Sequence, residues 1–158
     1  MATPLQLADA YSAFSNGGTL YKPRVVNKIT DVSGKVLDEF GPQVSKRIDL
    51  PAQIRQPIEQ GLIGATHDPK GTAYSAFNGF DLQAFSVAGK TGTAQVTGKE
   101  DSALFAGYGP VGSSRVAVGV VVEQSGFGST FAAPVGREIF AVASGQELAH
   151  VRLGVGTD

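Results

Sequence analysis

An α+β domain, with a mainly antiparallel sheet and helices packed against it, is the fold class that the sequence predicts, and three observations predict it. Three apolar runs rich in β-formers follow one another at about 84–96, 102–109 and 114–123, joined by short turns. Joints that short suit an antiparallel meander, because a parallel pair needs a crossover of about a dozen residues. Helical signals stand before and after these runs but not between them, which segregates helices from the sheet.

Thr3-Pro4-Leu5-Gln6 reads as an N-cap, a proline at the first helical position and a glutamine that closes a capping box. Leu7, Tyr11 and Phe14 then share a face before Gly17-Gly18, so a helix is expected over about 4–16. Residues 19–30 favour strand, and Asp31 to Gly34 separates them from 35–40, which predicts a hairpin. Pro23 cannot donate to a ladder and marks an edge or an irregular start. Residues 41–49 read as a polar connection. Behind Pro51, the four-residue recurrence of Ile54, Ile58 and Leu62 predicts an amphipathic helix over about 51–65, ended by Thr66 to Gly71.

In the strand region, the run from Ser114 to Glu123 is almost wholly apolar and is expected to be central and buried on both faces. Gly126 to Thr130 reads as a mobile loop. Pro134 opens a closing helix in which Val135, Ile139, Phe140 and Val142 are expected to cover the sheet. The domain is assigned to 1–144, with the weakly patterned 145–158 as a frayed tail.

Of the 158 residues, 42% are hydrophobic and 17% charged, which is ordinary globular composition and argues against disorder. A net charge of -1 leaves no basic stripe for nucleic acid, and no Lys/Arg cluster borders an apolar helix face that would lie on a membrane. The absence of cysteine excludes disulfides, thiolate zinc sites and Cys nucleophiles. No apolar stretch approaches the roughly 20 residues that span a bilayer. The opening Met1-Ala2-Thr3-Pro4 reads as a helix entry, so any targeting segment or membrane anchor is expected outside this chain. The 21 glycines have no fixed period and imply turns and close backbone approaches, not repeats.

Lys90-Thr91-Gly92-Thr93 is the segment richest in chemistry, because it combines a cation, two hydroxyls and bare backbone within four residues. Acyl transfer from a peptide with a free carboxylate needs a countercharge, hydrogen bonds to hold that carboxylate, and N–H donors aimed at the developing oxyanion. Lys90 would supply the field, the hydroxyls of Thr91 and Thr93 would bind the carboxylate, Gly92 would let substrate lie against backbone, and the N–H of Thr93 would be an oxyanion donor. Strand alternation puts Lys90 and Thr91 on opposite faces, so this chemistry requires either a twist at Gly92 or access along an open edge. The bland alternative is a strand with a solvated lysine and two β-branched residues. A phosphate loop is disfavoured: Gly89-Lys90-Thr91 matches its end, but Ala84 stands where the leading glycine belongs, and the residues after Thr91 are poor helix material.

The context of this run adds to it. The segments Ala2 to Tyr11, Phe14 to Arg24, Gly71-Thr72-Ala73, Gly89 to Gln95, Phe105 to Pro110 and Ala132 to Val135 occur in that order. Together they resemble the C-terminal part of the transpeptidase domain of class B, monofunctional penicillin-binding proteins, across about residues 2–142. The resemblance implies a penicillin-binding/serine β-lactamase-like fold, incomplete in this chain, on the extracytoplasmic face of a bacterial cell membrane. It implies cross-linking of peptidoglycan stem peptides through a serine acyl-enzyme, with β-lactams captured as mimics of the D-Ala-D-Ala terminus. Lys90 and Thr93 carry over as catalytic residues, and Lys90, Thr91, Gly92 and Thr93 as substrate-binding residues, of the Lys-Thr-Gly signature.

The same signature set contains Ser-x-x-Lys and a second motif, and neither is here: no serine stands three positions before any of the lysines, and no Ser-x-Asn occurs. The nucleophile, its activating lysine and the second motif are therefore expected on another segment of the same protein, and the chain alone is expected to be inactive. The expected ligands are a stem peptide or a β-lactam, the expected partner is that Ser-x-x-Lys segment, no nucleic acid is expected, and a membrane enters only through an absent N-terminal anchor. No cofactor and no metal are implied, since Asp and Glu lack ligand spacing and His67 and His150 read as solvated. Phe105 and Tyr108, at strand spacing, read as core, whereas Phe127 between two glycines is the better groove candidate. A non-catalytic structural or interaction module that keeps the sheet, or a β-lactamase-related fragment, is the alternative.

Overall fold

The computed structural model describes residues 2–149, and helix, short strands, helix, three strands and helix follow in the expected order. Helix α1, Pro4–Ser15, opens with the capping box: Gln6 N–H donates to Thr3 Oγ1 at 3.2 Å, and Thr3 N–H donates to Gln6 Oε1 at 2.9 Å. Two donors that a helix start orphans are thereby satisfied, worth about 1 kcal/mol.

The next segment divides differently from the expectation. β1, Thr19–Tyr21, pairs antiparallel with β4, Val44–Arg47, which lies inside the stretch that reads as a polar connection. β2, Lys28–Thr30, forms the hairpin with β3, Val36–Glu39. The turn between them is made by Asp31, whose Oδ1 accepts from Ser33 N–H at 2.8 Å and Lys35 N–H at 3.0 Å, and by Gly34 at φ 87°. Pro23 lies in the break between β1 and β2, so it interrupts the run where an edge strand was expected. β4 is only four residues long and exposed throughout, which gave its sequence no apolar alternation to read.

Helix α2, Ala52–His67, turns a different face inward from the one its isoleucines suggest. Ile54 and Ile58 are 51% and 47% exposed, while Arg55, Glu59, Leu62, Ile63 and Thr66 form the covered stripe. The two charged members of that stripe pair with each other at 3.5 Å, and Glu59 Oε1 also accepts from the Tyr108 hydroxyl at 2.9 Å. Polar partners thus let charged side chains occupy an inner face that apolar periodicity assigns elsewhere.

β5, Ala88–Ala94, β6, Ser102–Gly109, and β7, Val116–Val122, form an antiparallel meander in the order β5-β6-β7. The central strand is β6, and the apolar run expected at the centre is instead the outer strand β7. Alanine and glycine at 103, 106, 107 and 109 let β6 be covered closely on both sides although its composition is only moderately apolar. β7 earns its valines from helices: α1 packs on it at Gly119, where Pro4, Leu7 and Ala8 leave no room for a Cβ, and α3 also covers it.

Helix α3, Ala132–Ser144, buries Ala132, Ala133, Gly136, Arg137, Phe140 and Ala141. Of the four residues expected to cover the sheet only Phe140 does so; Val135, Ile139 and Val142 are 42%, 42% and 70% exposed. Small residues form the inner face because Gly136 lies directly on the Phe105 ring. The core beneath α3 collects Phe77, Phe80, Phe85, Phe105 and Phe140 with Val87, Val118 and Val120. Each fully buried side chain of this kind contributes roughly 1.5–3 kcal/mol. Arg137 enters the core by lying over Phe80, 5.6 Å from its centroid, and by donating to Glu138 and to the carbonyl of Glu147. Residues 145–149, expected to fray, are fastened to the body: Gln146 bonds both the N–H and the carbonyl of Asp81, and Ala149 N–H donates to Glu138. The remainder of that stretch, 150–158 with His150, lies outside the described residues.

Candidate active site

Lys90, Thr91, Gly92 and Thr93 fall in the middle of β5, opposite Ala106, Phe105, Leu104 and Ala103 in a register without a bulge. The run therefore has no bulge at Gly92, and the outer edge of β5 decides what it can reach. Val87 O accepts from Thr66 Oγ1 at 2.6 Å and Thr91 O accepts from Lys90 Nζ at 2.9 Å, both from side chains and not from β6. Residues two apart point their N–H and C=O to the same edge of a strand, so the N–H and carbonyl of Thr93 share the edge of Thr91, away from β6.

Four side chains converge there. The Lys90 ammonium, exposed, curls around the edge from the opposite face and lies 3.5 Å from Thr91 Oγ1. Thr91 Oγ1 bonds Thr72 Oγ1 at 2.8 Å. Thr93 is exposed, and its Oγ1 accepts from Gly128 N–H at 3.4 Å. Strand alternation does separate Lys90 from Thr91, and the length of the lysine stem overcomes it.

Two supports hold this edge. On one side the turn after α2 is fixed by Gly71 N–H to Asp68 O at 2.7 Å and Ala73 N–H to Ala65 O at 2.9 Å, and Gly71 packs on the carbonyls of Gly64 and Ala65. On the other, the loop expected to be mobile is tied at both ends: Ser125 and Gly126 donate to Asp101 O, and Gly128 O accepts from Ala132 and Ala133. Gly128 itself touches the main chain of Gly92 and Leu104, so a side chain at 128 would enter the sheet. Phe127, next to it, is 68% exposed beside this edge.

The sequence marked Thr72 only through the Gly71-Thr72-Ala73 turn that carries the resemblance, and neither it nor Thr66 nor Gly128 was assigned to the site, because each acts through a contact 19 or more residues away. His67 was misread as a solvated loop residue. It is the last residue of α2, half-buried, with Nδ1 3.0 Å from Ile63 O and Nε2 3.3 Å from Ser86 Oγ. Tyr108 and Phe105 are core, 1% and 0% exposed. Burial and the bond to the Glu59 carboxylate hold the Tyr108 phenol well above its ordinary range. Cavities of about 510, 500 and 580 Å³ lie against the β2–β3 hairpin, beside α1, and between α1 and α2, each lined by residues other than 90–93. Lys90 and Thr93 are exposed on this edge, and Thr91 and Gly92 between them are half-buried. Among the described residues no cluster of three or more His, Cys, Asp or Glu has metal-binding geometry, and no helix is long and apolar enough to cross a membrane.

An α+β domain that sets Lys-Thr-Gly-Thr on the outer edge of a sheet, braced by the turn after α2 on one side and the loop before α3 on the other, has the architecture of the penicillin-recognising class. The model of the penicillin binding protein transpeptidase domain matches residues 1–141, and the chain belongs to that family. The peptidoglycan D,D-transpeptidase MrdA of Haemophilus influenzae is 30% identical over 95% of this chain and 25% of its own length. The Salmonella typhimurium protein of the same name is 27% identical over 88% of the chain and 24% of its own length. Pseudomonas aeruginosa PBP2 in complex with WCK 5153 is similar in structure, with a TM-score of 0.72 and 29% identity over 96% of this chain and 32% of that one. The chain thus spans about a quarter of the length of the curated relatives it matches. Both the fold class and the resemblance read from the sequence are borne out.

Proposed function

We propose that this chain supplies the carboxylate-binding and oxyanion-stabilising strand of a D,D-transpeptidase, an enzyme that cross-links peptidoglycan stem peptides through a serine acyl-enzyme at the extracytoplasmic face of a bacterial membrane. The observation that carries the reading is the gathering of Lys90, Thr91 and Thr93 on the outer edge of β5. A ligand laid along that edge as an extended strand meets main-chain groups first, then the ammonium and the hydroxyls. At about 4 Å, a lysine and a carboxylate near a protein surface attract by roughly 4 kcal/mol. The N–H of Thr93 acts on the oxyanion, and losing one such donor costs roughly 3–4 kcal/mol in barrier height. Lys90 and Thr93 are the catalytic groups of this chain, and Thr91 and Gly92 bind and admit the substrate.

The serine that forms the acyl-enzyme, with its activating lysine, comes from a Ser-x-x-Lys segment outside these residues. A fluorescent penicillin tests the division of labour. The isolated chain is expected to stay unlabelled, and the chain completed by that segment to be labelled at the segment's serine. Covalent labelling of the isolated chain at one of its own serines would overturn the assignment, as would a completed domain that never reacts.

A further inference from the structure

We infer that Thr72, outside the Lys-Thr-Gly run, is a third hydroxyl of this site: it fixes the rotor of Thr91 and presents its own O–H to the carboxylate of the ligand. The inference rests on the reading of the β5 edge given above and extends it from the sheet to the turn after α2.

The direction of the hydrogen bonds follows from what each group can do. An ammonium only donates, so Thr91 Oγ1, 3.5 Å from Lys90 Nζ, can only accept from it. The single hydroxyl proton of Thr91 is then free to go to Thr72 Oγ1, 2.8 Å away. Thr72 receives that bond, keeps its own proton, and is exposed. The series therefore runs Lys90 to Thr91 to Thr72 and ends in an outward donor beside the ammonium. An incoming carboxylate has lone pairs for several such donors at once, and each charge-assisted bond is stronger than a neutral one.

Thr72 is also held still. Gly71 before it is wedged against the carbonyls of Gly64 and Ala65, and Ala73 after it donates to Ala65 O at 2.9 Å. The same helix end is fastened to the base of β5 by Thr66 Oγ1 to Val87 O at 2.6 Å. Two hydroxyl links, one buried and one exposed, thus set the spacing between α2 and β5. Bonds from Asp68 and Ala73 occupy carbonyls at the end of α2, which limits the negative field that a helix C-terminus would turn on an approaching anion.

The test uses the chain completed with its Ser-x-x-Lys segment, and it compares Thr72→Val, Thr72→Ser and Lys90→Ala. The second-order rate of acylation is measured with a penicillin and with its methyl ester, which lacks the carboxylate charge. Thr72→Val is expected to slow the free acid about tenfold and the ester by less than twofold, and Thr72→Ser to restore the acid rate. A parent-like acid rate in Thr72→Val beside a slow Lys90→Ala would remove Thr72 alone. Equal slowing of acid and ester would reduce Thr72 to a structural prop and overturn the inference too. If Lys90→Ala also reacts at the parental rate, the reading of the whole edge fails with it.

Discussion

The two outer strands of one sheet, β5 and β7, are built to opposite specifications. β5 carries Lys, Thr and Gly, and polar side chains from β5 itself and from α2 bond its outer carbonyls. β7 is Val-Ala-Val-Gly-Val-Val-Val, covered by α1 and α3, with nothing charged along its length. The central strand β6 serves both. Edge position alone therefore says little about role: the polar edge carries directed donors and hydroxyls, and the apolar one offers shape and area to helices.

The contrast is tested hardest at Lys90. In a completed domain, Lys90→Ala is expected to slow acylation by a penicillin about a hundredfold or more, while denaturant unfolding shifts by less than about 0.5 kcal/mol because the side chain is exposed. A large loss of stability would make Lys90 a structural residue and erase the difference between the strands.

Glycine substitutions sharpen the comparison. Gly128→Val forces a side chain against the backbone of Gly92 and Leu104 on the β5 side, and Gly119→Val does the same to Pro4 and Leu7 of α1 on the β7 side. Both are expected to lower unfolding free energy by about 1–3 kcal/mol. In a completed domain only Gly128→Val should also impair acylation beyond what its stability loss explains. Equal kinetic damage from both would show that the site depends on the sheet as a whole.

The smallest effect concerns the strand between them. Tyr108 is buried on Glu59, and its phenol is raised, so the folded state keeps the proton while an unfolded tyrosine loses it near pH 10. The unfolded state then binds fewer protons, and stability falls as pH rises, by about 1 kcal/mol between pH 10 and 11. Tyr108→Phe should flatten that slope in a pH series of denaturant melts. A slope unchanged in the variant would assign the alkaline loss to other groups.

What was legible in the sequence is what local chemistry decides. The capping box at Thr3, the hairpin turn at Asp31 and Gly34, the three strands and the Lys-Thr-Gly-Thr run all rest on neighbours within a few residues. Which face or strand is innermost was misjudged wherever a partner remote in sequence decides it. Glu59 lies inward because Tyr108 receives it, β6 is central because its small residues admit close neighbours, and α3 approaches through Gly136 and not through its valines. Periodicity ranks residues by hydrophobicity, and these positions were chosen by size and by hydrogen bonding. Residues 90–93 stood out as a candidate site for the same local reason, whereas the contact of Thr91 with Thr72 required knowing that a turn lies opposite.

The meeting of Gly92 and Gly128, main chain upon main chain, narrows what this flank of the sheet can carry. A Cβ at 128 would enter the main chain of Gly92 and Leu104, whereas one at 92 would meet only the Leu104 side chain, 3.3 Å away. Free space on this flank lies at Phe127 and Thr130, both exposed, where larger or different side chains fit while the backbone stays as it is.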